Sequence, residues 1–434
     1  MSERKDLLRL AVPLAAQQVG FQLMGTVDAL ILGRWSAAAL AGAGVGNNLM
    51  FFVVSIAMGI VMGIDSIVPQ AIGGGRQADA RRAVGAGMRL ALMVGLVATL
   101  LVMLTPVVLE LAHVTPEVVF EARPYTFMRA LGVVPSLLAI PLRAYLAARG
   151  HTRPLVVAVI AGNVANAGLD LALIYGAHLG VLGAGLATTF VQIVTLLLYA
   201  GAVRELDRRE TRETSTRADL LAIFKFGWPV GGQLFAEVGV FGVATVLAAH
   251  LGEVPAAAHS IALNLASFTF SFALGVASAT SVRVGHAVGA GDLALARHRG
   301  LIGFQTGLGV MACFAATFLL VPGLIAKAFT DSTAVVAATV PLLQIAALFQ
   351  LSDGTQAIGA GALRGLGDTH ATLVGNLFGH YAVGLPIMLA LCFSAALGAP
   401  GLWWGLSAGL TATAIFLFVR FLRSTRKSLP GSAG

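Results

Sequence analysis

The segment PQAIGGGRQADARR, residues 69–82, indicates how the chain is organised, because a similar segment follows half a chain later. The second copy lies within RVGHAVGAGDLALARH, residues 283–298. With Ala71 placed on Ala287, the two segments share an alanine, two glycines and an arginine at the same spacing. A shift of half the chain therefore relates its first and second halves, as expected of an internal repeat.

The same shift aligns identical residues elsewhere in the two halves: Pro13 with Pro229, Gln17 with Gln233, Asn48 with Asn264, Phe52 with Phe268 and Gly59 with Gly275. One residue further on, RGHTR (149–153) meets LGDTH (366–370). The charged segment RELDRRETRETSTRAD lies between the halves. We therefore predict an N-terminal six-helix bundle at 1–203, a cytoplasmic linker at 204–219, and a C-terminal six-helix bundle with a short cytoplasmic tail at 220–434.

The composition is that of a membrane protein. Hydrophobic residues make up 57% of the chain and charged residues only 11%, too little charge to cover a soluble domain of this size. Apolar runs long enough to cross a bilayer recur throughout.

The first run is too long and too polar for a cleaved signal peptide. Both cysteines lie in apolar runs, so no disulfide is expected. We predict twelve spans, at roughly 10–33, 46–68, 84–109, 122–147, 154–176, 181–203, 220–250, 256–282, 299–322, 336–363, 371–396 and 399–423.

Lysine and arginine residues concentrate in alternate loops between these spans. One side of the predicted membrane carries nearly all of them, whereas the other carries only Arg34, Arg123, Arg129 and Lys327. Because basic loops are retained in the cytoplasm, both termini are predicted to be cytoplasmic. The net charge of +8 thus reflects topology, and nucleic acid is not an expected partner. The predicted location is the bacterial plasma membrane (inner membrane), crossed many times.

An even number of helices in each half means that both halves begin and end on the same side. The predicted fold class is therefore an all-α membrane protein, with twelve transmembrane helices in two six-helix bundles related by a pseudo-two-fold axis along the membrane normal. Two bundles of this kind would enclose a cleft suited to alternating access, and a monomer would suffice. Repeats also occur in channels and enzymes, so the repeat alone leaves those classes open.

Four acidic residues are predicted deep within spans, where a carboxylate costs roughly 2.5–3.5 kcal/mol: Asp28, Asp170, Glu237 and Asp353. A fifth, Asp65, is near the cytoplasmic end of its helix and is expected to reach water. No intramembrane lysine or arginine is expected beside the four. An unpaired acid in a membrane either takes up a proton or binds a cation, and either behaviour provides ion coupling.

Amide side chains accompany these acids at helical spacing. Asn163, Asn166 and Asp170 are spaced i, i+3, i+7 and share one helical face. The other candidate ion or substrate ligands are on the faces of Asp28, Glu237 and Asp353, and they are Gln17, Gln233 and Gln356. The alternative for Asn163, Gln233 and Gln356 is a structural role, since an amide in a membrane helix commonly links helices at about 0.6 kcal/mol.

Several segments resemble the multidrug and toxic compound extrusion (MATE) transporters. They are FAEVGVFGVATVLAAHLG (235–252), LSDGTQAIGAGALRGLGDT (351–369), NVANAGLDLALIYG (163–176) and the PQAIGGG loop. The resemblance covers nearly the whole chain, in order and in both halves. It implies export of small cationic drugs or metabolites in exchange for Na⁺ or H⁺.

The resemblance also implies roles for individual residues. Glu237 and Asp353 match the acidic cation-site pair of NorM-like members, which makes them a candidate Na⁺ site. Asp28, Asn166 and Asp170 match the proton-linked group of DinF-like members. We favour the NorM-like branch because this acid pair, on the seventh and tenth predicted spans, is its marker. Many members of that branch have Asn where Asp170 stands, so Na⁺ and H⁺ both remain open.

Two alternatives remain. A lipid-linked oligosaccharide flippase shares this architecture, but its diphosphate cargo calls for basic residues in the cavity. Of the residues in spans only Arg129 and Arg143 qualify, and both lie towards span ends. An intramembrane enzyme could use Asp28 and Asp170 as a catalytic pair, although no further catalytic constellation accompanies them.

We predict a non-enzyme without a cofactor. There is no P-loop, so an ion gradient is the expected energy source. Among the histidines, His380 is the one candidate in a span.

Overall fold

The computed structural model describes residues 3–208 and 214–426, which are almost entirely helical and contain no β-strand. Part of the predicted linker, residues 209–213, and the tail from Lys427 lie outside this range. In chain order the α-helices of the described residues are α1 (Glu3–Trp35), α2 (Ala37–Val61), α3 (Ile64–Gly73), α4 (Gln77–Met103), α5 (Thr105–Leu111), α6 (Pro116–Ala148), α7 (Arg153–Asp170), α8 (Val181–Leu206), α9 (Arg217–His250), α10 (Glu253–Gly289), α11 (Leu293–Leu320), α12 (Pro322–Lys327), α13 (Thr333–Leu366), α14 (Thr369–Asn376), α15 (Leu385–Leu389) and α16 (Ala399–Ser424).

The prediction of a polytopic helical membrane protein is confirmed. Within the described residues, eleven helical segments are long and apolar enough to cross a membrane. The remaining long helix, α1, carries five charged residues in its first two turns and contains the first predicted span, 10–33. Broad exposed surfaces of leucine, valine and phenylalanine accompany these segments, as a lipid-facing protein requires.

The backbone repeats between the halves as the sequence does. Glycines with positive φ occupy equivalent positions in the halves: Gly75 and Gly291, and Gly150 and Gly367, follow helices, whereas Gly180 and Gly398 immediately precede α8 and α16. Each pair is separated by about half the chain. A left-handed residue ends a helix with little strain when it is glycine, so the repeated glycines produce the same helix ends twice.

By their internal contacts the residues form two compact units. The unit Ala16–Gly231 is here called the N-terminal unit, and residues 1–15 together with 232–434 are called the C-terminal unit. Helices α1 and α9 therefore each contribute to both units. The sequence-based division at the linker stays a prediction.

Glycine allows unusually close helix crossings within each unit. A Cβ atom on Gly59 of α2 would lie 2.4 Å from the Cα atom of Gly231 on α9. In the C-terminal unit, a Cβ atom on Gly275 of α10 would lie 2.3 Å from the Cα atom of Ala15 on α1. These crossings are repeat equivalents of each other, and they hold the inner parts of α1 and α9 against α10 and α2.

The beginning of α1 is also anchored by charge. The Glu3 carboxylate accepts a hydrogen bond from Arg283 of α10 and a second one from Arg299 Nε of α11, at 3.0 Å. Burial alone would raise the pKa of Glu3, but hydrogen bonds from Arg299 and Arg283 outweigh it and lower the pKa below its ordinary value. The cluster therefore favours an ionised Glu3.

Candidate ion-coupling sites

The first acid pair belongs to the N-terminal unit. Asp28 is near the end of α1, and Asp170 is the last residue of α7, where the helix widens into the π-helical segment Leu171–Gly176. Asp170 and Asn166 are fully buried, and Asp28 is 7% exposed. Wide turns of this kind occur frequently at functional sites. The predicted grouping of Asp28, Asn166 and Asp170 is thus present as a spatial cluster.

The two carboxyl groups interact directly. Asp170 lies within electrostatic reach of Asp28, and two carboxyl groups this close can hydrogen-bond to each other only when they share a proton. Thr188 of α8 donates a further hydrogen bond to Asp28 Oδ2 at 3.0 Å. Neither Asp170 oxygen has a hydrogen-bond partner among the described residues. A proton shared by the two acids would satisfy both groups.

The expectation that no basic residue lies beside the acids is wrong for two of them. Arg129 of α6 interacts electrostatically with Asp28, and Arg364 of α13 interacts with Glu237. Sequence spacing cannot reveal the first contact, because Arg129 lies on a different helix, far from Asp28 along the chain. Packing of α6 against α2 and α8 brings its guanidinium towards the pair.

Two predicted ligands of this half have other partners. Gln17 donates to the hydroxyl of Tyr199 at 2.8 Å, three turns along α1 from Asp28. Asn163 is half-buried and donates to the carbonyl of Val159 in its own helix, at 2.8 Å. The structure does not bring these amides to the acid pair, and their assignment as ligands stays a prediction.

The second acid pair belongs to the C-terminal unit. Glu237 of α9 and Asp353 of α13 interact electrostatically. Gln356 Nε2 lies 3.4 Å from Glu237 Oε2 and 3.3 Å from Asn376 Oδ1 on α14. Gln233, one turn before Glu237, also interacts with its carboxylate. The predicted grouping of Gln233, Glu237, Asp353 and Gln356 is therefore assembled in space.

Oxygen atoms at this second site suit a monovalent cation. Gln356 Oε1 is buried and has no hydrogen-bond partner among the described residues, so an acceptor oxygen remains available beside Glu237. Groups of three or more His, Cys, Asp or Glu able to hold a metal are absent from the described residues. A Na⁺ ion here would thus be held by Glu237, Asp353 and amide oxygens, a hard-oxygen set. The Na⁺ assignment itself stays a prediction.

Sequence reasoning missed several members of the two clusters, namely Tyr125, Arg129, Thr188 and Asn376. Tyr125 is buried and interacts with Arg129 one turn further along α6. Asn376, fully buried, could have been recognised as an amide within an apolar run, the same signal that identified Asn166. A threonine in a membrane helix commonly bonds to its own backbone, so Thr188 gave no such signal.

Two side chains considered from the sequence lie elsewhere. Asp65 forms an ion pair with Arg143 at 3.4 Å, and both side chains are mostly buried. His380 lies in the π-helical segment Leu377–Gly384, with its ring 6.4 Å from that of Phe241. Neither residue belongs to the contacts that define the acid pairs.

A duplicated helical membrane protein with an intramembrane acid pair in each unit has the features of a secondary transporter. Comparison with known proteins identifies the transporter family. The MatE family model matches residues 13–171 and 229–390. The chain belongs to the MATE transporter family, as the sequence resemblance predicted.

The most similar curated proteins include bacterial relatives called NorM. A multidrug resistance protein NorM from Burkholderia vietnamiensis is 33% identical over 96% of this chain and 93% of its own length. A probable multidrug resistance protein NorM from Deinococcus radiodurans is 35% identical over 98% of this chain and 96% of its own. These relatives confirm the predicted NorM-like affiliation.

Solved structures confirm the fold. The eukaryotic MATE transporter AtDTX14 superposes with a TM-score of 0.89 over 98% of both chains, at 20% sequence identity. At that identity the similarity concerns the fold alone.

Proposed function

We propose that this protein is a secondary active antiporter that exports cationic, amphipathic drugs or metabolites in exchange for Na⁺ or H⁺ by alternating access. The observation that carries the proposal is an acid pair in the membrane-spanning part of each compact unit, Asp28 with Asp170 and Glu237 with Asp353. Negative side chains in these positions attract lipophilic cations. The names of the NorM relatives, which are multidrug resistance proteins, support the substrate class.

The mechanism follows from competition between two kinds of cation for the same negative charge. On the outer side, Na⁺ or H⁺ neutralises the carboxylates and releases the bound drug. On the inner side, where the gradient leaves the ion scarce, the carboxylates lose it and bind the next drug. Each ligand needs to bind one state more tightly than the other to drive this exchange.

The proposed function also concerns the oligomeric state, the membrane location and the orientation of the protein. We propose a monomer in the bacterial inner membrane, with the lipid bilayer and a small cationic substrate as its partners and with both termini cytoplasmic. The loop distribution of lysine and arginine supports the orientation.

The test is transport of ethidium by proteoliposomes under an imposed Na⁺ gradient or pH gradient. We expect Asp28→Asn, Glu237→Gln and Asp353→Asn each to reduce transport at least about tenfold, because each removes a charge that the substrate and ion share. Asp79→Asn is the control, since Asp79 is 41% exposed in ion pairs with Arg76 and Arg82. Wild-type transport by all three site variants would contradict the proposal.

The choice of gradient separates the two sites. Transport driven by Na⁺ alone would assign coupling to Glu237 and Asp353, and transport driven by pH alone would assign it to Asp28 and Asp170. Transport under neither gradient would overturn the antiport proposal and favour the flippase. Modification of a lipid or peptide by the purified protein, without a gradient, would favour the enzyme.

A further inference from the structure

Arg129 is a basic side chain in a membrane-spanning helix of the N-terminal unit, beside the Asp28–Asp170 pair. It is half-buried in the middle of α6. Its Nη2 atom lies 3.5 Å from Asn47 Oδ1 on α2. The amide of Gln192 on α8, oriented so that its nitrogen donates to a backbone carbonyl of α6, presents its oxygen to Arg129 Nη1 at 3.3 Å. Neutral amide oxygens thus hold the guanidinium in place, and its charge is left to act on the acids.

The neighbouring helices α6, α7 and α8 each contribute a further polar side chain to the surroundings of the acid pair. These side chains are Asn166 on α7, Thr188 on α8 and Tyr125 on α6, and all three are neutral in their ordinary protonation states near pH 7. Among the residues that the structure describes, the charge of the cluster therefore depends on Asp28, Asp170 and Arg129. With one shared proton the cluster is neutral, and without that proton it carries a single negative charge.

We infer that Arg129 is the fixed counter-charge of Asp28. The acid pair then exchanges one proton for one monovalent cation, and both acids are required for that single exchange. The inference rests on the proposed antiport. When the substrate binds, the proton shared by the pair leaves to water, and the negative charge it uncovers neutralises the substrate. One positive charge leaves as one arrives.

This arrangement is not a product of the repeat. In this helix the shift is the one that aligns Gly150 with Gly367, and it places Ala346, which is fully buried within an apolar cluster, at the position equivalent to Arg129. The shift that aligns Gln17 with Gln233 places Ala244 opposite Asp28. The acid and its counter-charge occur together in the N-terminal half and are replaced together by apolar residues in the other half.

The charge count predicts a rescue that a merely structural arginine would not give. In Asp170→Asn, Arg129 already neutralises Asp28, so no carboxyl group remains to exchange, and we expect ethidium transport to fall at least about tenfold. In the double variant Asp170→Asn with Arg129→Gln, Asp28 becomes a neutral acid that can exchange its proton. We expect that variant to regain transport to within about threefold of wild type.

Matched variants separate charge from packing. Adding Arg129→Lys to Asp170→Asn keeps the positive charge and should not rescue. Adding Arg123→Gln removes an exposed arginine of the same helix, which pairs with Glu110, and should not rescue either. A double variant with Arg129→Gln that folds and remains as inactive as Asp170→Asn would overturn the inference. Loss of all gradient-driven transport in the wild-type protein would instead refute the antiport proposal.

Infrared spectroscopy tests the counter-charge without transport and without any variant of Arg129. If Arg129 keeps Asp28 ionised, Asp170→Asn and the double variant Asp28→Asn with Asp170→Asn should have the same carboxylic acid absorption. An additional carboxylic acid band in Asp170→Asn, absent from the double variant, would mean that Asp28 is protonated beside Arg129. That band would overturn the inference.

Discussion

At the scale of single residues, the sites depend on neutral side chains as much as on acids. Asp28 accepts a hydrogen bond from Thr188, and Glu237 is linked through Gln356 to Asn376. Such partners orient a carboxylate without adding charge, so each acid remains able to exchange an ion. A buried carboxylate that loses such a donor forfeits about 1.5–3 kcal/mol.

Thr188→Val tests this role, because it removes the hydroxyl while keeping the volume. We expect proteoliposome transport to fall about tenfold, since the Asp28 carboxylate loses its oriented donor. Thr189→Val is the matched control, because the Thr189 hydroxyl donates to the backbone carbonyl of Met128 and not to an acid. Equal transport by the two variants would show that the Thr188 hydroxyl has no special role.

At the scale of helices, the close crossing of α2 and α9 allows no Cβ atom on Gly59. Gly59→Ala should therefore lower the free energy of unfolding by about 1–3 kcal/mol, measured as a lower thermal midpoint in detergent. Gly44→Ala, in the same helix, meets no atom within 4 Å, and alanine favours a helix by up to about 1 kcal/mol. A Gly59 variant as stable as the Gly44 variant would contradict the tight crossing.

The anchor at the start of α1 predicts a pH dependence. Because the pKa of Glu3 is lowered in the folded protein, its contribution to stability is complete above the ordinary pKa of 4.5 and disappears as pH falls through the lower folded value. Glu3→Gln should cost about 1 kcal/mol near neutral pH and little in strong acid.

The control for this prediction is Glu110→Gln, which breaks the exposed ion pair with Arg123 and should change thermal stability very little at either pH. A loss in Glu3→Gln that is the same near neutral pH and in strong acid would refute the electrostatic explanation.

At the scale of the whole molecule, the loop charges predict which ends of the helices face the cytoplasm. In a variant lacking Cys313 and Cys392, we expect an impermeant thiol reagent to label Ala328→Cys in intact cells and to leave Ala290→Cys unlabelled until the cells are opened. Both positions are exposed and follow helices of the same half. The reverse pattern would place the termini outside and refute the charge-based orientation.

The family and the architecture were accessible from the sequence because they depend on local and periodic signals. Long apolar runs predict membrane helices whatever their neighbours are. The duplicated glycines at the helix ends can be identified directly in the amino-acid sequence. The acids at Asp28, Asp170, Glu237 and Asp353 were identifiable because a membrane makes each of them costly.

The composition of the two sites depended on tertiary structure. Asn163 shares a helical face with Asn166, yet its side chain donates a hydrogen bond to the backbone of its own helix. Helical spacing predicts which residues share a face, but not which other helix packs against that face. Arg129 was predicted to lie towards the end of its span, and packing of α6 placed it beside Asp28. The sequence by itself determined that the chain forms long membrane helices, that they repeat between its halves and which acids they bury. Only the tertiary structure decided which side chains meet those acids, because such contacts join helices that are distant in the sequence.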